Sequence, residues 1–133
     1  MMERVSFSHN YNGKLFTDCF GSVQLEDSER FFAGNMLTGL YKNENIGLLK
    51  VEAVRKFRFQ HISDVLAYIE CGKPAHYLAE VIRKSAAADG YIVKPETRLD
   101  HVVFCYETRN ITIHSALLQQ WWQEKKTQNK PML

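Results

Sequence analysis

The chain predicts a single α+β domain, a small mixed β-barrel flanked by helices, and three observations predict it. From Leu49 to Phe59, Leu49, Val51, Ala53, Phe57 and Phe59 fall on one parity while Lys50, Glu52, Lys56, Arg58 and Gln60 fall on the other, the period-2 pattern of a half-buried strand. The other strand-like runs are short and set off by turns such as Gly34-Asn35. The helical stretches are inserted between strands and do not alternate with them, which argues against a doubly wound parallel sheet. With 133 residues, such a domain buries roughly two thirds of its unfolded surface and needs neither metal nor disulfide to hold together.

In chain order, Val5 and Phe7 alternate as a first strand. Tyr11, Leu15, Phe16 and Cys19 recur at spacings near three and four, which predicts a short amphipathic helix over residues 11 to 19 despite Gly13. Ser22 to Leu25 reads as a second strand, Glu26 to Arg30 as a turn, and Met36 to Tyr41 as an apolar stretch entered through Gly34-Asn35. Lys42 to Glu44 turns again before the long strand. Ser63 is placed to cap a helix ending at Glu70, with Asp64 favourable in its first turn and Gly72 as its stop, reinforced by Pro74. A second helix follows from Ala75 to Ala87, with Leu78, Val81 and Ile82 as its buried stripe. Residues 91 to 98 form a loop and His101 to Tyr106 a central strand. The last helix, Ser115 to Lys126, carries Leu117, Leu118, Trp121 and Trp122, and a polar tail follows it.

Composition excludes several classes. A net charge of +2 neither announces nor opposes nucleic-acid binding. Cys19, Cys71 and Cys105 are odd in number and widely spaced, without metal-ligand spacing, so they read as reduced thiols of a cytoplasmic protein with no metal and no cofactor. Cys19 reads as a small buried hydrophobe, since no neighbouring charge depresses its pKa. The sequence opens on charge without a signal-peptide core, and no apolar run approaches the roughly 20 residues that span a bilayer. No membrane association is expected.

The segments Phe7-Ser8, Gly34-Asn35-Met36-Leu37, Val51 to Phe59 and Asp64 to Glu70, with Ala67 inside the last, resemble the ASCH domains of the PUA-like superfamily. The resemblance is closest to their small N4-acetylcytidine amidohydrolase branch and covers roughly residues 5 to 107. It implies a PUA-like, partly open mixed β-barrel over residues 1–110, with residues 111–133 as a C-terminal helical extension of the same domain. The family's signature loop has the form G-x-K followed by Thr and Arg; aligned on Phe7 and Gly34, these positions hold Thr17, Cys19, Ser22 and Gln24. Glu70 falls on the family's catalytic glutamate. The catalytic candidates are therefore Glu70, Ser22 and Cys19, and with Cys19 at the lysine position hydrolysis is not expected.

What remains is binding. Ser22, Gln24 and Glu70 are candidate ligand contacts in a cleft. Lys50, Lys56 and Arg58 share the outer face of the long strand, with Arg55 near a parity break at Val54, and that row is either a solvated strand face or a track for the phosphates of RNA. The resemblance implies binding of RNA, a nucleotide or a modified nucleoside. Alternatives are an amidohydrolase acting on an N4-acylated cytidine, and a protein-interaction module using the tryptophan helix, with a homodimer formed through Trp121 and Trp122.

Overall fold

The structure, a computed structural model, describes residues 2–128. Five strands, β1 (Arg4–Phe7), β2 (Cys19–Leu25), β3 (Met36–Tyr41), β4 (Glu44–Arg58) and β5 (Arg98–Arg109), form one sheet in the order β1-β3-β4-β5-β2. β1 runs parallel to β3, and every other pairing is antiparallel. β1 and β2 are the end strands and do not pair with each other, so the barrel has an open seam between them. Helices α1 (Asp64–Cys71) and α2 (Ala75–Ala88) lie between β4 and β5 in sequence, and α3 (Ile111–Gln128) follows β5. This is the α+β, helix-flanked barrel expected from the pattern, and it is partly open as the resemblance implies. The far end of the polar tail, residues 129–133, lies outside the described residues.

Local chemistry sets the boundaries. Lys42 and Asn43 both take positive φ, 52° and 63°, giving the two-residue turn whose twist suits a β-hairpin. Tyr41 therefore pairs with Glu44, and β4 starts five residues earlier than Leu49. The segment expected as a helix over residues 11 to 19 is a 3-10 helix confined to Tyr11–Phe16. Gly13 at φ 69° breaks any α-helical run there, and Cys19 already pairs with Cys105 across β2 and β5. α1 opens on Ser63, whose hydroxyl accepts from the Leu66 N–H at 3.1 Å, and closes on Gly72 in the left-handed conformation.

The core fills the barrel with Val5, Phe7, Leu15, Phe20, Phe31, Leu37, Ile46, Leu49, Val51, Val102 and Phe104. Phe104 sits at its centre, with edge contacts to Phe7 and Phe31. A smaller apolar cluster of Ala67, Cys71 and Leu78 joins α1 and α2, with Tyr11 and Val23 packed against it. Among the described residues no helix is long and apolar enough to cross a membrane.

One irregularity in β4 redirects its side chains. Val51 lies opposite Phe104 and Ala53 opposite Val103, so Glu52 is an extra, bulged residue. Beyond it the parity inverts: Val54 faces Val102, Arg55 faces His101 and Lys56 faces Asp100. Val51 is fully buried as the alternation predicts, whereas Ala53 is exposed and Phe57 only half-buried. The basic row is divided for the same reason. Lys50 shares its face with Cys105, while Lys56 and Arg58 share the opposite face with Asp100 and Arg98.

Candidate functional site

Glu70 projects from the last turn of α1 toward the barrel, and although charged it is only 4% exposed. Two partners make that burial tolerable. Lys14 Nζ donates to Glu70 Oε2 at 3.1 Å and to the Gly21 carbonyl at 2.8 Å. His101 Nε2 lies 2.7 Å from Glu70 Oε1. Burial pushes the Glu70 carboxyl up, but the His101 hydrogen bond and the Lys14 charge together outweigh it and hold the group below its ordinary value. Glu70 is thus a carboxylate near neutral pH and can only accept, so His101 carries its proton on Nε2 and donates it.

Each partner is positioned by its element. Lys14 is carried by the 3-10 helix, which is pinned by the buried Leu15 side chain and by the Leu15 N–H donating to Asn10 Oδ1 at 2.8 Å. His101 lies within β5, opposite Val23 of β2. Gly21 leaves the space in which the pair meets: a Cβ there would stand 2.7 Å from both Glu70 Oε1 and His101 Nε2. The start of α1 is tied to the start of α2 by Asp64, whose Oδ1 accepts from the Ala75 N–H at 2.8 Å.

Glu70 and Lys14 line a cleft of about 430 Å³ at the seam, between Arg4 and Ser6 of β1 and Ser22 and Gln24 of β2, roofed by Leu78 and Ile82 of α2. That volume lies within the range of small-ligand pockets. Ser22 Oγ accepts from Gln24 Nε2 at 2.8 Å. Tyr11 also lines the cleft; its hydroxyl is buried beside Tyr77, and burial together with that neighbouring hydroxyl raises its pKa. His9 stacks on the Tyr11 ring, centroids 4.8 Å apart, and burial together with the Lys14 charge lowers the His9 pKa.

The sequence-derived candidates are therefore divided among separate places. Ser22, Gln24 and Glu70 come together in the cleft. Arg55, Lys56 and Arg58 line a second cavity of about 540 Å³ beside α1. Lys50 lies in neither and approaches Glu52 at 3.9 Å. Cys19 is corrected outright: it is exposed, and its sulfur is bonded to Cys105, so it supplies no thiolate, and the reading of three reduced cysteines gives way to one free thiol, Cys71. Pairing of β2 with β5 sets those two residues directly opposite each other.

Lys14, five positions before Cys19, is the lysine that faces Glu70. It is the sole Lys or Arg between Arg4 and Arg30, which is the signal that could have found it. His101 gave no such signal, standing at the edge of an apolar run. Asp100 was also missed. It is fully buried, accepting from Lys56 Nζ at 3.1 Å and from the Asp27 N–H at 3.1 Å, and it withdraws Lys56 from the free cations.

Fold and site together define a mixed, partly open β-barrel with a charged cleft at its seam. The fold is shared with a solved structure, protein EF3133 from Enterococcus faecalis V583, of the family DUF984. That structure matches with a TM-score of 0.57 and 14% identity, covering 80% of this chain and 77% of the other. No family model matches the chain, and no curated protein matches it.

Proposed function

We propose that the seam cleft binds a nucleoside or nucleotide, free or within RNA, and reads the exocyclic amine of its base through Glu70. The observation that carries this is the buried carboxylate fixed from both sides, Lys14 on one oxygen and His101 on the other, at the wall of a pocket of ligand size. Each carboxylate oxygen keeps a further lone pair for a ligand N–H. The stacked His9 and Tyr11 rings offer a flat surface to a base. The resemblance to ASCH domains points to the same ligand class.

A second reading is amide hydrolysis of an N4-acylated cytidine, favoured by Lys14 facing Glu70. The expectation of no hydrolysis rested on Cys19 at the lysine position, and the Lys14 contact removes that ground. Glu70 would orient a water for attack on the acyl carbon, Lys14 would stabilise the developing oxyanion, and the C–N bond would break as the amine nitrogen takes the proton. Titration calorimetry with cytidine, cytidine monophosphate and N4-acetylcytidine tests binding, and chromatography of the last tests turnover. Binding that Glu70→Gln weakens about tenfold or more supports the first reading. Release of acetate that Lys14→Met abolishes supports the second. No binding of any of the three removes both.

A further inference from the structure

In β4, pairing with β3 stops at Lys50, opposite Met36, and the last backbone bonds on that side tie Val51 to Gly34 and Asn35. From Ala53 to Arg58 the strand pairs on one side alone, with β5. Bonded residues alternate along an antiparallel ladder, and the Phe59 N–H donating to the Thr97 carbonyl at 2.8 Å sets the alternation here. Ala53, Arg55 and Phe57 turn their peptide groups toward β5, so Val54, Lys56 and Arg58 turn theirs outward. Among the described residues no backbone group meets that outward edge. An open strand edge is a template for another strand.

The side chains around the edge describe its occupant. A second copy of the chain fits badly, because edge-to-edge pairing would set Arg55, Lys56 and Arg58 against their own counterparts, and like charges across a ladder destabilise it. The cavity of about 540 Å³ beside this edge has half-buried Phe57 and Leu66 in its wall, together with exposed Arg55, Arg58 and Arg98. Those three arginines stand in no ion pair among the described residues, whereas Lys56 is held by Asp100 and Glu26. Apolar wall and uncommitted guanidiniums together suit a segment that carries both apolar and carboxylate side chains, and an extended chain presents the two in alternation.

We propose that the free edge of β4 from Ala53 to Arg58 takes up an extended acidic segment of a partner protein as an added strand. Its backbone bonds to Val54, Lys56 and Arg58, an apolar side chain sets against Phe57 and Leu66, and its carboxylates meet Arg55, Arg58 and Arg98. The edge cavity and the seam cleft share no lining residue, so this interaction stands apart from the cleft and its ligand.

The test is fluorescence anisotropy of the full chain with a labelled, end-blocked hexapeptide of alternating glutamate and valine, joined to amide hydrogen exchange by NMR. The peptide should bind, more weakly at about 200 mM salt than at about 50 mM. Exchange should slow at the Val54, Lys56 and Arg58 amides and stay as it was at Arg55 and Phe57, which β5 already holds. The charge-reversed variant Arg55→Glu, Arg58→Glu, its fold checked by circular dichroism, should lose about tenfold or more in affinity and should bind the lysine–valine counterpart instead. A fully N-methylated peptide, which keeps the charge and loses every N–H donor, should not bind. Equal binding of the methylated peptide overturns the proposal, since charge alone would then hold the ligand. It is overturned as well by no binding at either salt, by unchanged exchange at the outward amides, or by their protection on self-association without peptide, which would make a second copy the occupant. Tighter binding of a labelled octacytidylate at the same amides would give the edge to nucleic acid and overturn it too.

Discussion

His101, on β5, donates from Nε2 to Glu70 Oε1 across 2.7 Å, and the backbone of Gly21 passes beneath the bond with no side chain to obstruct it. The contact joins α1 to the barrel wall and leaves the other Glu70 oxygen to Lys14. Three segments far apart in sequence therefore depend on one small residue in β2.

Gly21→Ala should break this arrangement. The added methyl would lie 2.7 Å from both polar atoms, so Glu70 or His101 must withdraw. Losing a hydrogen bond to a buried charge costs on the order of 1 to 3 kcal/mol, and chemical denaturation should show that loss together with weakened ligand binding in the cleft. An alanine variant with wild-type stability and a histidine ring resonance unchanged by NMR would show that the pair does not need the space.

Stability should fall with acid in two separate windows. His114 Nε2 lies 2.8 Å from the Ile46 carbonyl, which can only accept, so Nε2 carries the proton, while Nδ1 is buried without a partner among the described residues. Burial lowers its pKa, the Ile46 bond working against this, so the folded protein favours the neutral ring. The unfolded chain then binds more protons just below the unfolded His value of about 6.5, and stability declines as pH falls from there toward the folded value. Glu70, also depressed, contributes stability that is present above the ordinary carboxylate value of about 4.3 and is lost as pH falls through its lower folded value. Melting temperatures across pH 3 to 8 check both: His114→Gln should flatten the upper window and Glu70→Gln the lower.

The bulge at Glu52 separates the two large aromatic residues of neighbouring strands into different classes. Phe104 is fully buried in the barrel, so Phe104→Ala should cost about 3 to 5 kcal/mol. Phe57, displaced to the other face and half-buried, should cost under about 2 kcal/mol when truncated. Equal losses from urea denaturation would mean that the inverted parity beyond Glu52 is wrong.

These residues also mark how far the sequence carries. The strand around Val51, the Ser63 cap and the Gly72 stop were legible because each depends on neighbours within a few positions, whereas Glu70 was singled out by the resemblance alone. The bulge was visible only as a parity break at Val54, and its effect on Lys56 depends on which β5 residue lies opposite. Lys14 reaches Glu70 across 56 positions of chain, and Cys19 meets Cys105 across 86. No local spacing encodes either contact. Both follow from the register of β2 against β5 and from where the 3-10 helix ends, which are products of the whole sheet.

The tryptophan helix should divide its work between its two indoles. Adjacent residues on an α-helix point about 100° apart, and here Trp121 turns inward to meet the Phe16 ring edge-on at a centroid distance of 5.9 Å and to cover Gly13, while Trp122 is 54% exposed beside Leu118. Neither indole nitrogen is among the buried polar atoms left without a partner. Trp121→Ala should therefore destabilise the fold by about 1 to 3 kcal/mol through lost aromatic packing. Trp122→Ala should stay within about 0.5 kcal/mol of wild type. If two copies associate through α3, the exposed Trp122 must carry the contact, and sedimentation velocity should show Trp122→Ala as a monomer at concentrations where the wild-type chain dimerises. A dimer lost on changing Trp121 but not Trp122 would mean that α3 does not dock on its own barrel through Phe16.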